Sequence, residues 1–153
     1  MTGGLLRSPA VEGARQQKSV VLILARELAA NVATPIFLID KDGTLVFYNE
    51  PAEAIVGQPF AQVGEMPVAD WGASMQPEDV DGNRLSRRTI PPGVAFLEQR
   101  AAHQEIFITG ADGVRRGIEI TAFPLFAKAD EFAGAICIFW EHGARGASAQ
   151  EAQ

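Results

Sequence analysis

One cysteine, two histidines and fewer bases than acids are what this 153-residue chain has least of. The single Cys137 leaves no internal disulfide framework and fits a reducing compartment. With 13 Lys and Arg against 19 Asp and Glu, the net charge is −6. That balance withholds the clustered basic surface that nucleic-acid phosphates need. Long apolar runs are missing too: the longest early one, Val20 to Ala25, stops at Arg26, far short of the roughly 20 residues that cross a bilayer. No basic-then-apolar leader with a small-residue cleavage site opens the chain. The expectation is a cytoplasmic protein with neither a nucleic-acid nor a membrane partner.

Catalytic signatures are equally scarce. The chain has no nucleophile elbow, no phosphate-cradling glycine loop and no histidine pair at metal spacing, so neither catalytic residues nor metal ligands are expected. Asp79-Val80-Asp81-Gly82-Asn83 alternates oxygen-bearing side chains like the start of a calcium loop. Its glycine is misplaced, however, and Ile90 stands where the bidentate Glu belongs. Asp40, Glu105 and Glu119 could move protons only if buried with raised pKa values. Their places at strand ends and hairpins favour solvated or turn-capping roles. A small proton-transfer enzyme on a cone-shaped sheet is the last of three readings for these reasons.

What the chain does have is an apolar, patterned middle. Hydrophobic content of 47% with 21% charged residues, over this length, predicts one folded domain with a real core. Residues 1–17 and 143–153 lack periodicity and read as disordered tails. Between 18 and 32, Val20, Val21, Leu24, Leu28 and Val32 recur at helical spacing opposite Arg26 and Glu27, which predicts an amphipathic helix. Two apolar runs, Ile36 to Ile39 and Thr44 to Tyr48, flank the turn Asp40-Lys41-Asp42-Gly43 and predict a hairpin. Asn49 then suits a helix N-cap, Pro51 its first turn and Gly57 its left-handed stop.

By strand alternation, Ile36, Leu38, Leu45 and Phe47 share one sheet face, and Phe37, Ile39, Val46 and Tyr48 the other. Both are apolar, so one face is expected to meet short helices and the other the leading helix or a second subunit. Prolines and glycines break residues 58–83, with short helical turns predicted at Phe60 to Val63 and Val68 to Trp71. Pro91-Pro92-Gly93 opens a helix carrying Val94, Leu97 and Ala101 on one side. Strands follow at Glu105 to Thr109, Val114 to Phe123 and Phe132 to Trp140.

The order of these elements resembles the PAS family of sensory and interaction modules over roughly Val32 to Glu141, 33–142 being taken as the domain. The resemblance rests on Ile36, Leu38, Asp40, Gly43 and Leu45, then Asn49-x-x-Ala52-Glu53-x-Ile55-x-Gly57. It resumes at Asp112-Gly113, the Ile118 to Leu125 strand with Pro124, and Gly134 to Phe139. It implies an α+β fold, a five-stranded antiparallel sheet with short helices on one face and the amphipathic helix in front. It also implies a regulatory role in signal transduction without supplying a ligand.

Family chemistry lies between sheet and helices. The inward candidates are Leu38, Phe47, Ile55, Phe60, Trp71, Val94, Leu97, Ile106, Ile108, Ile118, Ile120, Ile136 and Ile138, which describe a cavity for a small apolar ligand and a filled core equally well. Covalent flavin chemistry needs a cysteine in the helical middle of the domain, and none lies between Gly57 and Arg100. Haem-binding members of the family commonly hang the iron from a histidine on the helix before the third strand, whereas His103 follows that helix here and His142 follows the last strand. Neither haem nor a covalent flavin is expected, a non-covalent flavin stays open, and the ligand is unidentified. Val20, Val21, Leu24 and Leu28 are candidates for a homodimer interface, the resemblance placing dimer helices at this position. The exit departs from the family pattern: Glu141 stands in for an aspartate and the threonine of its Asp-x-Thr element is missing. No output module follows, so a signal is expected to pass to a partner chain. A ligand-free dimerisation or scaffold module is the second reading.

Overall fold

The computed structural model describes residues 9–142; the expected tail at 143–153 and residues 1–8 lie outside that range. Helix α1 (Pro9–Ala30) precedes β1 (Ile36–Asp40), β2 (Leu45–Tyr48), α2 (Glu50–Val56), α3 (Phe60–Val63), α4 (Val68–Met75), α5 (Pro91–Glu98), β3 (Ala102–Thr109), β4 (Arg115–Lys128) and β5 (Glu131–Glu141). α1 thus starts within the segment read as a tail. Every strand pairing is antiparallel, in the order β2-β1-β5-β4-β3, which sets the first strand beside the last. The five-stranded sheet with short helices is the α+β architecture expected. Among the described residues, no helix is long and apolar enough to cross a membrane.

Local chemistry explains the first hairpin. The Asp40 carboxylate accepts from the backbone N–H of Asp42 (2.8 Å) and Thr44 (3.0 Å), while Gly43 supplies φ 86°. α2 is capped as predicted: Asn49 accepts from Ala52 N, a proline occupies the first turn and Gly57 closes the helix at φ 92°. That end docks on the β3–β4 turn, where Ala111 N donates to Val56 O (2.8 Å) and Arg116 Nη1 to Ile55 O (3.2 Å). α5 stops at Glu98 because Gln99 turns left-handed at φ 56°, so Ala101 is not helical.

Two clusters share the sheet. Phe37, Ile39, Leu45, Tyr48, Ile106, Ile108, Ile118, Ile120 and Phe139 meet Ile55, Trp71 and Ile90 beneath the short helices. Ile36, Leu38, Val46, Phe47, Phe123, Leu125, Ile136 and Ile138 form the other face with Ala25, Ala29 and Val32 from α1 and the segment after it. The alternation expected for β2 is therefore wrong at Leu45 and Val46, which exchange faces. Leu38 pairs with Phe47 and Ile39 with Leu45, so Val46 is the extra residue of a bulge. Leu45 joins Tyr48 on the inner face, and Val46 joins Phe47 on the outer one.

Candidate functional site

The inner face is closed by rings. Phe37 lies 5.9 Å from Trp71 and 5.6 Å from Phe139, centroid to centroid, at tilted angles suited to aromatic quadrupoles. Trp71 Nε1 donates to Gly43 O at 2.9 Å, which pins α4 over the first hairpin. Tyr48 Oη donates to Gln58 O at 2.8 Å. Burial, with the Glu53 carboxylate adding to it, pushes the Tyr48 phenol up to about 12. Burial likewise raises the thiol of Cys137, which lies in the centre of the sheet.

Little space is left inside. A cavity of about 40 Å³ touches Phe37, Leu45, Tyr48, Trp71, Met75 and Ile108. A second, of about 10 Å³, lies between Ile90, Ile106 and Ile120. Small-molecule sites usually occupy roughly 300–1,000 Å³. A larger groove of about 230 Å³ opens at the surface, lined by Val68, Trp71, Arg87, Arg88, Phe96 and Leu97.

The candidate pocket residues separate accordingly. Ile55, Trp71, Val94, Ile106, Ile108, Ile118 and Ile120 are buried, and Phe60 is half-buried at the rim, edge-on to Phe47 and Tyr48. Leu38, Phe47, Ile136 and Ile138 are on the opposite side of the sheet, so their expected inward position is corrected. For Leu38, Ile136 and Ile138 the cause is that both faces are apolar and alternation cannot tell which one meets the short helices. Leu97 is 53% exposed and lines the surface groove instead of the core. Asp40 serves the hairpin turn, and Glu105 and Glu119 point away from the interior, so none of the three carboxylates reaches the cavity. Asp79 spends its carboxylate on the N–H groups of Asp81 and Asn83, both at 2.9 Å.

On the outer face, α1 sets Ala25 and Ala29 against the sheet, and the Arg26 guanidinium sits 4.5 Å above the Phe47 ring. The rest of its apolar stripe looks outward. Val20 is 51%, Ile23 55%, Leu24 64% and Leu28 60% exposed, while Val21 is half-buried. Ile23 belongs to this surface as well, and its place between Val20 and Leu24 is the sequence signal that marks it.

Asn49 does more than cap α2. Its Oδ1 accepts from Ile36 N (3.0 Å) and Ala52 N (3.2 Å), and its Nδ2 donates to Ala29 O (2.8 Å) and Thr34 O (2.9 Å). One buried amide thus joins the end of α1, the start of β1 and the first turn of α2.

No curated protein matches the sequence significantly. Among solved structures, the PAS domain of a Colwellia psychrerythraea protein is similar at 19% identity and TM-score 0.54, over 79% of this chain and 96% of that one. The LOV protein of Rhodobacter sphaeroides is similar at 14% identity and TM-score 0.60, over 78% and 65%. The light-state dimer of the fungal blue-light photoreceptor Vivid is similar at 15% identity and TM-score 0.54, over 72% and 79%. These likenesses carry the fold, and the model of the PAS fold matches residues 30–146. With the sheet order, the short inner helices and that match together, the chain belongs to the PAS family of sensory and signalling modules.

Proposed function

We propose that this domain is a regulatory module that acts through protein–protein interaction, its first partner being a second copy of itself joined along α1. The observation that carries the reading is the exposed stripe Val20, Ile23, Leu24 and Leu28 on a helix whose opposite side already covers the sheet. Four adjacent branched apolar side chains in water favour association, and a stripe meeting its own copy about a two-fold axis is self-complementary. The photoreceptor Vivid, similar in fold, is a dimer in its light state. A cytoplasmic setting and a signalling partner in trans belong to the same reading, as does the absence of an enzymatic role. Sedimentation of the full chain at high micromolar concentration is expected to give a dimer. Leu24→Glu with Leu28→Glu is expected to give a folded monomer. A wild-type chain that stays strictly monomeric, or a double variant that stays dimeric, overturns it.

A second reading, a sensor of a small apolar ligand, draws on the groove beside Phe96 and Leu97, where Arg87 and Arg88 add a charged rim. Mass spectrometry of ligand released from denatured protein tests it. The small interior cavities weigh toward the interaction module.

A further inference from the structure

Both histidines of the chain converge on one carboxylate. His103 Nε2 is 3.3 Å from Glu119 Oε1, and His142 Nδ1 is 3.3 Å from Glu119 Oε2. Glu105 Oε1 lies 4.0 Å from the same His142 nitrogen. Strand pairing creates the cluster: Glu105 stands opposite Glu119, His103 opposite Thr121, and Trp140 of β5 opposite Glu119. Such a group has no local spacing in the sequence. It is built across three strands.

We propose that Glu105, Glu119 and His142 form a binding site for a divalent transition metal of the zinc type, with His103 orienting the Glu119 carboxylate from its other oxygen. One donor atom from each of the three ligands lies within 4.8 Å of the others. Zinc holds N and O ligands tetrahedrally at about 2.0–2.2 Å, which puts neighbouring ligand atoms roughly 3.3–3.5 Å apart. The His142–Glu119 separation of 3.3 Å meets that geometry already, and rotation of the exposed Glu105 side chain closes its distances of 4.0 Å to His142 and of at most 4.8 Å to Glu119. One imidazole with two carboxylates, leaving a fourth position to water, suits zinc better than hard calcium, which prefers six to eight oxygens.

The central ligand is also held in place. Glu119 is only 15% exposed, its Oε2 accepts from Trp140 Nε1 at 3.2 Å, and His103 is fixed in turn by the Thr121 hydroxyl. A histidine anchored behind a ligating carboxylate is the kind of outer partner that sets ligand orientation. His142 follows β5 directly, so an occupied site ties the end of that strand to β3 and β4. This inference is independent of the dimer reading.

The test is calorimetric titration of the untagged full chain with zinc chloride in a non-chelating buffer, with cobalt absorption as a second readout of tetrahedral ligation. One equivalent is expected to bind at micromolar Kd or tighter, without competition from millimolar calcium. His142→Ala and Glu119→Gln are expected to lose binding by more than about 100-fold, and His103→Ala by about 10- to 100-fold. His142 is exposed and Glu119→Gln keeps an amide oxygen to accept from Trp140, so both variants are expected to keep the wild-type circular dichroism, which separates lost ligands from lost fold. Sub-stoichiometric zinc, or folded His142→Ala and Glu119→Gln proteins that bind zinc as the wild type does, overturns the proposal.

Discussion

The side-chain amide of Asn49 donates to the main-chain carbonyl of Ala29 at 2.8 Å, across 20 residues of sequence. Because the same side chain serves Ile36, Thr34 and Ala52, α1 is docked by polar contacts at its end as well as by apolar ones along its length. Asn49→Ala removes the side-chain partner of Ile36 N and Thr34 O, while Ala52 N and Ala29 O keep main-chain bonds, and is expected to cost about 2–3 kcal/mol. Asn49→Asp keeps the two accepted bonds and loses both donated ones. Hydrogen exchange is expected to rise first at the last turn of α1 in that variant. Protection there unchanged in both variants contradicts the docking role.

The two sheet faces are expected to answer truncation differently. Phe37 is fully enclosed between Trp71 and Phe139, so Phe37→Ala is expected to cost about 3–5 kcal/mol. Phe47 is half-buried beneath Arg26, and Phe47→Ala is expected to cost less, about 2 kcal/mol, with loosening of α1. Urea denaturation of both variants checks the order; a reversed order would mean the bulge at Val46 is misplaced.

Gly134 sits in β5 at φ 147°, where an added Cβ would lie 2.1 Å from the carbonyl oxygen of Ile39. Gly134→Ala therefore forces β1 and β5 apart and is expected to destabilise by at least about 2 kcal/mol. A thermal melt within a degree of the wild type is the contrary result.

Leu97 gives the opposite expectation. Its side chain is in the open groove, so Leu97→Phe is expected to change stability by no more than about 0.5 kcal/mol. A loss of about 1–3 kcal/mol, the mark of overpacking, would put Leu97 back in the core.

Alkaline pH is expected to weaken the fold. Cys137 and Tyr48 both have raised folded-state pKa values, so their contribution is complete below the unfolded-state values and is lost as pH rises through the folded ones. For the thiol the decline starts near pH 8.5. For Tyr48 it runs from 10.0 to about 12. Urea midpoints taken from about pH 7 to 10 should fall in the wild type, with the first part of the fall absent in Cys137→Ala. A flat wild-type profile refutes this. Asp112 has the opposite sign: its hydrogen bond from Arg116 lowers its pKa, so its share is lost only as pH drops below the ordinary carboxylate range.

Much of the fold was legible because its signals are local. Asp40 and Gly43 announce their turn, and Asn49, Pro51 and Gly57 mark both ends of α2 within a few residues. The inner and outer faces were not separable, since Ile36, Leu38 and Phe47 are as apolar as Phe37, Ile39 and Tyr48. A bulge at Val46 leaves no trace in such a run. Ala101 misled because helical spacing continues past Glu98 although the backbone turns at Gln99, and Leu97, itself helical, lies on the side of α5 that borders the open groove. Ligand atoms gathered by strand register, as at Glu119, have no spacing for a sequence pattern to register.

The pairing of β1 with β5 carries a consequence for synthesis. Ile36 aligns with Ile138, a separation of roughly a hundred residues, and such distant pairings are the slow steps of folding. As the polypeptide leaves the ribosome, the first hairpin has both apolar faces and one open strand edge until the last strand arrives. During that interval the nascent chain is most exposed to aggregation and most in need of a chaperone.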